Sequence, residues 1–244
     1  MPPDRPDPAQ GVFETFLVSD GHVLGRDAHL ARLTGSVAAL YRRSLPDGMI
    51  TAASLRCAVL TDGDHRLRLD VIPRDGALDW DVTSAPVDPD RPRRYACLPA
   101  VVPGGLGPHK WRDRRLLARL GQGGQVPLLV DRDGSILEAG WANVWLLDGD
   151  RLLTPPADGR LLPGVTRSVL LELAPALGLT AVQQPIPLAA ALAAPICLLT
   201  SSVALAALAT LPGGAPPPPE APAIADRIRD ALRSALATFD AEPG

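Results

Sequence analysis

The chain has almost no lysine: among the 24 lysine and arginine residues of its 244 residues, Lys110 is the single lysine. The formal net charge is −3, so the chain lacks the basic surface by which proteins bind nucleic acid. Arginine stays protonated and forms no Schiff base, whereas a lysine amine can. A chain that uses arginine for nearly all its positive charge and keeps one lysine therefore indicates a chemical role for Lys110.

Cysteine is also scarce. The three cysteines, Cys57, Cys97 and Cys197, lie far apart, and no two form a Cys-x-x-Cys pair. This spacing argues against a disulfide framework or a structural zinc site and fits a reducing cytosol. No other cluster of residues has the spacing of metal ligands, so we expect no metal.

Long apolar runs are missing as well. The longest, residues 188–199, contains Pro195 and is too short to span a bilayer. Residues 1–8 lack the apolar core of a signal peptide. With 46% hydrophobic residues the chain can still bury a sizeable core, as one large domain or two small lobes. We therefore expect a soluble cytoplasmic protein without a membrane partner.

The pattern of apolar residues and turns divides the chain into two lobes. Residues 1–10 are predicted to be a disordered tail, residues 11–103 an N-terminal α/β lobe, residues 104–109 a loop, and residues 110–244 a C-terminal lobe. In the first lobe, spacing and turns predict strands and helices, with Asp27 as a helix cap, at 12–18 (strand), 27–43 (helix), 51–60 (helix), 66–73 (strand) and 78–83 (strand). In the second they predict 112–120 (helix), 126–131, 136–139, 142–147 and 151–154 (strands), 165–177 (helix), 196–200 (strand) and 222–238 (helix).

A phosphate-binding turn is predicted where Gly164-Val165-Thr166 opens a helix after Pro163. The free N–H groups at such a helix start, together with the helix dipole, favour a phosphate, and the Thr166 hydroxyl adds a donor. The simpler alternative is that Thr166 only caps the helix. Upstream, Glu138 lies at a predicted strand edge before a turn, which alone would suit an ordinary turn carboxylate.

An acid, a phosphate-binding turn and an activated lysine are what pyridoxal 5′-phosphate (PLP) needs. The chain also resembles one family, the fold-type-IV PLP enzymes or class IV aminotransferases, over roughly residues 11–208. Branched-chain aminotransferases, D-amino-acid aminotransferases and 4-amino-4-deoxychorismate lyases belong to it. Each matching block is weak alone, but all occur in the family's order: residues 11–15 (GVFET), 29–33 (HLARL), Lys110, 138–143 (EAGWAN) and 162–167 (LPGVTR).

The resemblance implies roles at the ring of the cofactor. Lys110 would form the Schiff base with PLP and then move a proton, although Asp113-Arg114 stands where many relatives carry Asn-Arg. Glu138 would keep the pyridine nitrogen protonated, so that the ring accepts electrons. Asn143, five residues on, is also implied to bind the cofactor.

The resemblance likewise implies a set of phosphate ligands. Arg32 of the second block has a forked guanidinium that matches a phosphate oxygen pair. Val165 and Thr166 begin the helix, and Ser201 and Ser202 follow a strand at a place that supplies further donors. A solvent-facing arginine and ordinary loop hydroxyls are the alternatives for these residues.

The fold implied is α/β (α+β) with two lobes: a small N-terminal α/β lobe and a larger C-terminal lobe with a β-barrel-like sheet. The family places PLP in the cleft between the lobes and forms homodimers, because a neighbour's loop completes each site. The expected partner is a small-molecule amine substrate, with no nucleic acid or metal.

The reaction stays open between two main alternatives. A 4-amino-4-deoxychorismate lyase would give 4-aminobenzoate and pyruvate, whereas a class IV aminotransferase, for branched-chain or D-amino acids, would need a 2-keto acid acceptor. The chain is short for a branched-chain enzyme, and its first strand has Thr15 where those enzymes usually have glycine. A threonine here resembles the lyase-like branch, in which it faces the substrate. A family member that binds PLP without turnover is the alternative from another class.

Overall fold

A computed structural model describes residues 5–88 and 93–238 of the chain. These residues fall into two compact units. The first contains residues 5–88, 109–116 and 236–238, and the second contains residues 93–108 and 117–235. Residues 1–4 of the predicted tail lie outside the described residues, and Pro8–Gln10 form a single 3₁₀ turn capped by the Asp7 carboxylate.

The first unit is a four-stranded antiparallel sheet in the order β2-β1-β3-β4 with two helices. Alternating apolar residues on its strands face these helices and give one buried core. Among the residues buried there are Phe16, Leu33 and Leu69. The elements are β1 (Val12–Ser19), β2 (His22–Val23), α1 (Arg26–Tyr41), α2 (Met49–Cys57), β3 (Asp64–Arg74) and β4 (Ala77–Pro86).

A short segment after residue 108 returns to this sheet and pairs with the start of β1. The Phe13 N–H donates to the Lys110 carbonyl at 2.9 Å, and the Arg112 N–H donates to the Gly11 carbonyl at 3.0 Å. Val12 and Trp111 form the antiparallel bridge between these two bonds. The backbone of the single lysine is therefore fixed beside β1.

The second unit is built on a nine-stranded sheet that closes on itself. An extra pairing of β7 with β8 joins the ends of a six-strand stretch into a closed barrel. Its core is mostly valine, leucine, isoleucine and alanine. The elements are β5 (Arg94–Val101), α3 (Arg115–Leu120), which spans the two units, β6 (Val126–Val130), β7 (Ser135–Ala139), β8 (Ala142–Asp148), β9 (Arg151–Thr154), α4 (Val165–Leu173), β10 (Thr180–Gln183), β11 (Ile186–Pro187), α5 (Leu188–Ala193), β12 (Ile196–Ser201), β13 (Leu205–Thr210) and α6 (Ala221–Thr238).

The predicted fold class, with a small α/β lobe and a barrel-like sheet, is confirmed. The cap of α1 was predicted wrongly: Gly25 precedes the helix, and Asp27 lies inside its first turn. The helix predicted from residue 112 begins at Arg115, because Asp113 accepts the Arg115 N–H just before it. The strand β5 was missed, since Pro99 inside an apolar run argues against a central strand.

Gly11 is a residue that this fold requires. Its φ is +91°, and a Cβ there would clash with the Val71 carbonyl oxygen of the neighbouring strand. Gly63 has a φ of +70° but open space around it. We expect Gly63→Ala to cost about 1–2 kcal/mol of unfolding free energy from backbone strain alone. Gly11→Ala should cost at least about 3 kcal/mol, because a conformation reserved for glycine is combined with a clash.

Urea unfolding of both variants followed by circular dichroism measures this difference. Equal losses for Gly11→Ala and Gly63→Ala would show that β1 can move away from β3 without cost.

Candidate active site

The residues predicted for the site fall into two groups, one in each unit. Thr15, Arg32 and Lys110 belong to the first unit. The second unit holds the other predicted residues, which are Glu138, Asn143, Val165, Thr166, Ser201 and Ser202.

In the first unit, Lys110 lies beside the part of β1 that contains Phe13 and Thr15. Successive residues of a strand point to opposite faces, so Phe13 and Thr15 share one face of the sheet. The Lys110 Nζ is 5.3 Å from the centroid of the Phe13 ring, within the range of a cation–π contact. Both Lys110 and Thr15 are half-buried. The predicted amine and the predicted substrate-facing hydroxyl thus border the same phenylalanine.

One basic residue that the sequence did not predict also lies over this phenylalanine. Arg68 lies opposite Thr15 in the register of β3, and its guanidinium carbon is 3.8 Å from the Phe13 ring centroid. It donates two hydrogen bonds of 2.7 Å to Asp70, and Arg112 donates a third of 2.6 Å. The available signal was the alternation of Arg66, Arg68 and Asp70 with leucines in the sequence, which places those charges on one strand face.

On the opposite face of β1, Glu14 binds the predicted phosphate ligand Arg32. Glu14 is 1% exposed and accepts from Arg32 Nε at 2.9 Å and from Arg32 Nη2 at 2.8 Å. It also accepts the Thr15 N–H at 2.7 Å, and His29 Nδ1 lies 3.2 Å from its Oε1. Arg32 is therefore held in a bidentate ion pair by a carboxylate to which the sequence reasoning assigned no role.

The charges of this cluster follow from its burial. Burial by itself raises the pKa of Glu14, but Arg32, His29 and the more remote Lys110 outweigh it and hold that pKa well below its usual range. Burial lowers the pKa of His29 although Glu14 opposes this, and Arg32 and Lys110 lower that pKa further, so the imidazole is neutral at pH 7. His29 thus acts as a neutral partner of an ionised Glu14.

In the second unit, Glu138 and Asn143 hold one peptide segment. The two residues are paired across β7 and β8, and both side chains are buried. Glu138 Oε2 accepts the Leu162 N–H at 3.3 Å, while Asn143 Nδ2 donates to the Leu162 carbonyl at 2.9 Å. A Cβ on Gly164 would clash with Asn143 Oδ1. The loop that leads into α4 is therefore fixed against the β7–β8 hairpin.

The first turn of α4 has hydrogen-bonding groups without protein partners. Gly164 precedes the helix and offers no capping side chain. Thr166 is 2% exposed, and its Oγ1 is buried without a partner among the described residues. The alternative that Thr166 caps the helix therefore does not hold. The first N–H groups of a helix have no partner within the helix either, so this turn presents several donors to an acceptor from outside.

The two predicted serines follow β12. Ser201 is the last residue of the strand, and its Oγ accepts the Ala204 N–H at 3.3 Å. Ser202 follows in a turn, and both are half-buried. The preceding Thr200 instead accepts a hydrogen bond of 2.9 Å from Nε1 of the buried Trp145. The hydroxyls at 201 and 202 remain the better placed of this run for a ligand.

A separate cavity of about 330 Å³ lies in the first unit and contains no predicted site residue. Its walls come from α1, α2 and the sheet and include Arg26, Leu30, Cys57 and Leu67. Among the described residues, no group of three or more histidine, cysteine, aspartate or glutamate side chains could hold a metal ion. In the same residues no helix has the length and apolarity needed to cross a membrane.

Comparison with known proteins adds to this geometry. The model of the class IV amino-transferase family matches residues 11–208. A hypothetical aminotransferase from Mycobacterium tuberculosis, solved in a PLP-bound form, has a similar structure with a TM-score of 0.78 and 25% identity, over 94% of this chain and 90% of that chain. A 4-amino-4-deoxychorismate lyase from Pseudomonas aeruginosa has a TM-score of 0.72 and 22% identity, over 94% and 92%.

One curated sequence is similar over a shorter stretch. The cytosolic branched-chain-amino-acid aminotransferase of Mus musculus is 49% identical over 55 residues. This stretch is 20% of the present chain and 14% of the mouse protein. The chain therefore matches only a small part of the length of that relative.

The ionised Glu14 predicts a pH-dependent stability. Because its pKa is lowered from 4.5 in the folded state, its contribution is complete above about pH 4.5 and is lost as the pH falls further. At pH 7 we expect Glu14→Gln to cost about 3–5 kcal/mol, because it leaves the Arg32 charge without its partner. The cost should shrink between pH 4.5 and pH 3.

Urea unfolding of parent and variant at several pH values gives this difference directly, since the other carboxylates titrate in both proteins. Asp27→Asn, at an exposed position of α1, serves as the control and should change little. A cost of Glu14→Gln that stays constant down to pH 3 would contradict the assignment of an ionised Glu14.

Proposed function

Because the chain belongs to the class IV aminotransferase family, we propose that it is a PLP-dependent 4-amino-4-deoxychorismate lyase. The reaction would convert 4-amino-4-deoxychorismate into 4-aminobenzoate and pyruvate. Its cofactor is PLP. The proposal concerns which of the family's reactions this chain catalyses.

The residues of the second unit fit the phosphate and ring of PLP. The uncapped start of α4 and the buried Thr166 Oγ1 without a partner suit a phosphate, which accepts hydrogen bonds from both. We assign Val165, Thr166, Ser201 and Ser202 to the phosphate. Arg32 would add a charge-assisted bond to the phosphate.

Lys110 and Glu138 would act on the ring. When bound, PLP supplies an electron-accepting ring that stabilises negative charge on the carbon next to the substrate nitrogen. Glu138 would hold the proton on the pyridine nitrogen, and Asn143 would keep the supporting loop in place. Lys110 is the amine to which the aldehyde of the cofactor would be attached.

In the lyase reaction, Lys110 Nζ would take the proton from the ring carbon that bears the amine. The carbon–oxygen bond to the enolpyruvyl group then breaks, and the ring becomes aromatic. The departing enolpyruvate takes up one proton at its methylene carbon, for which Lys110 is again the donor. The reaction is balanced and needs neither an oxidant nor a second substrate.

The observation that favours the lyase is the position of Thr15. Thr15 lies on the same strand face as Phe13, and the Lys110 Nζ is 5.3 Å from the centroid of the Phe13 ring. The Thr15 hydroxyl is therefore on the face where Lys110 would act. Arg68 and Arg112 share the carboxylate of Asp70 on the same face, so these three side chains together carry one net positive charge. That charge suits a substrate with carboxylates, such as 4-amino-4-deoxychorismate.

An aminotransferase is the second candidate. The 55-residue similarity to the mouse branched-chain enzyme favours it, and such an enzyme would use the same Lys110 and Glu138 with a 2-keto acid as acceptor. A member that binds PLP without turnover is the third, and the presence of both Lys110 and Glu138 argues against it. For any of the three we propose a homodimer, as is usual in the family, with a small-molecule amine as ligand.

The reactions are separated by their need for a keto acid. A lyase should release pyruvate from 4-amino-4-deoxychorismate in a single-substrate assay, because the cofactor is regenerated when 4-aminobenzoate leaves. Borohydride reduction and peptide mapping should find the cofactor on Lys110 in the same preparation. Thr15→Ala should lower kcat while PLP affinity stays unchanged, which indicates an interaction made in the transition state.

An aminotransferase would instead deaminate alanine, glutamate or a branched-chain amino acid, and only when 2-oxoglutarate or pyruvate is added. Pyruvate formation that depends on an added acceptor would overturn the lyase assignment. A PLP adduct on another residue would overturn the role of Lys110.

Glu138→Gln tests the assignment of the ring-nitrogen partner. The variant should still bind PLP but lose the charge that keeps the nitrogen protonated, so kcat should fall on the order of a hundredfold or more. Glu172→Gln, on the exposed side of α4, is the matched control and should leave kcat unchanged. An unaltered kcat in Glu138→Gln would remove this residue from the reaction.

A further inference from the structure

Arg167 is a buried cation without an acidic partner. It lies in the first turn of α4, directly after Thr166, and is 3% exposed. Its Nη2 donates to the Pro155 carbonyl and to Gln183 Oε1, each at 2.8 Å, and its Nε is buried with no hydrogen-bond partner in the described part of the chain. Within the described residues no carboxylate pairs with this guanidinium, although the chain's other buried arginine, Arg229, is paired with Asp226.

This arrangement is unfavourable in the protein alone. Burial lowers the pKa of Arg167, which expresses the cost of keeping its charge away from water. The positive end of the helix dipole lies at the same turn, and a cation there adds to the unfavourable field. Two destabilising contributions therefore coincide at one turn, and a bound anion would relieve both.

The unsatisfied groups of this turn belong to consecutive residues. Thr166 Oγ1 and Arg167 Nε are both buried without partners, and a Cβ on Gly164 would come within 3.3 Å of the Arg167 Cβ. We propose that Arg167 is a positioning residue whose buried charge raises the affinity of the α4 start for the phosphate of the cofactor. This inference rests on the proposed function, since it takes the α4 start as the phosphate site.

Arg167 also acts through its hydrogen bonds, and the experiment must separate this effect from the effect of its charge. Through Pro155 and Gln183 it also fastens α4 to neighbouring segments. Arg167→Lys keeps the charge and loses the fork, whereas Arg167→Met removes the charge from a side chain of similar length. Gln183→Leu keeps the charge and removes one of the two fastening bonds.

The measurement is the affinity of the PLP-free protein for inorganic phosphate and for PLP, by titration and by the thermal shift that each ligand causes. Loss of one nearby buried charge should weaken phosphate binding on the order of tenfold or more in Arg167→Met. Arg167→Lys and Gln183→Leu should stay close to the parent. Arg229→Met, at a buried arginine on α6, is the control: it lowers the melting temperature but should leave the phosphate-dependent shift unchanged.

The outcomes distinguish this inference from the proposed function. A parent protein that binds neither phosphate nor PLP contradicts the proposed function itself. A parent that binds both, with Arg167→Met binding equally well, overturns the role of Arg167 alone. Weakening of the same size in Arg167→Met, Arg167→Lys and Gln183→Leu shows a fastening role only and overturns the charge. If Arg167→Met does not fold, Arg167→Gln replaces it as the neutral variant with the same expected loss.

Discussion

The backbone pairing between the segment after residue 108 and the start of β1 is the constraint on which the proposed site residues of the first unit depend. It fixes the Lys110 backbone beside Phe13, while β3 pairs with the other edge of the same strand. Since the side chains of β1 alternate, the strand then divides its polar groups by face. Thr15 shares the face of Phe13, and Glu14 turns to the other face, where it holds Arg32. One strand thereby orients three residues of the proposed site, which are the Schiff-base lysine, the substrate-facing threonine and one phosphate ligand.

The proposed site residues of the second unit depend on two hydrogen bonds at the edge of the barrel. Glu138 and Asn143 are a cross-strand pair, and each binds one backbone group of Leu162. A closed barrel keeps such a pair in register, so the loop they hold leads into α4 at a defined place. At that helix start, Thr166 Oγ1 and Arg167 Nε have no hydrogen-bond partner among the residues that the structure describes. Rigid support next to unsatisfied donors is the arrangement expected of a preorganised anion site rather than of a purely structural turn.

Much of the fold follows from the sequence because its strands carry clear signals. Apolar alternation in residues 66–73 and the glycine and aspartate turns of residues 126–154 predict the observed strands closely. The failures occur where tertiary packing overrides local preference. Pro99 lies within a parallel strand of the barrel, and Gly25 precedes α1 although Asp27 looked like the cap. Neither closure of a barrel nor the partner of a strand edge is encoded in a single segment.

The site was predictable to the extent that it depends on residue type. A unique lysine and a glycine before a helix can be found by inspection, whereas the partners of a buried charge cannot. Glu14 became visible only when strand alternation and helix position brought it to Arg32. In the sequence, Arg167 is only the last residue of the block LPGVTR. The structure shows that it is buried and that its Nε has no partner among the described residues. A buried charge without an acidic partner lowers the stability of the folded protein. Its presence is explained if the charge helps the start of α4 to bind an anion.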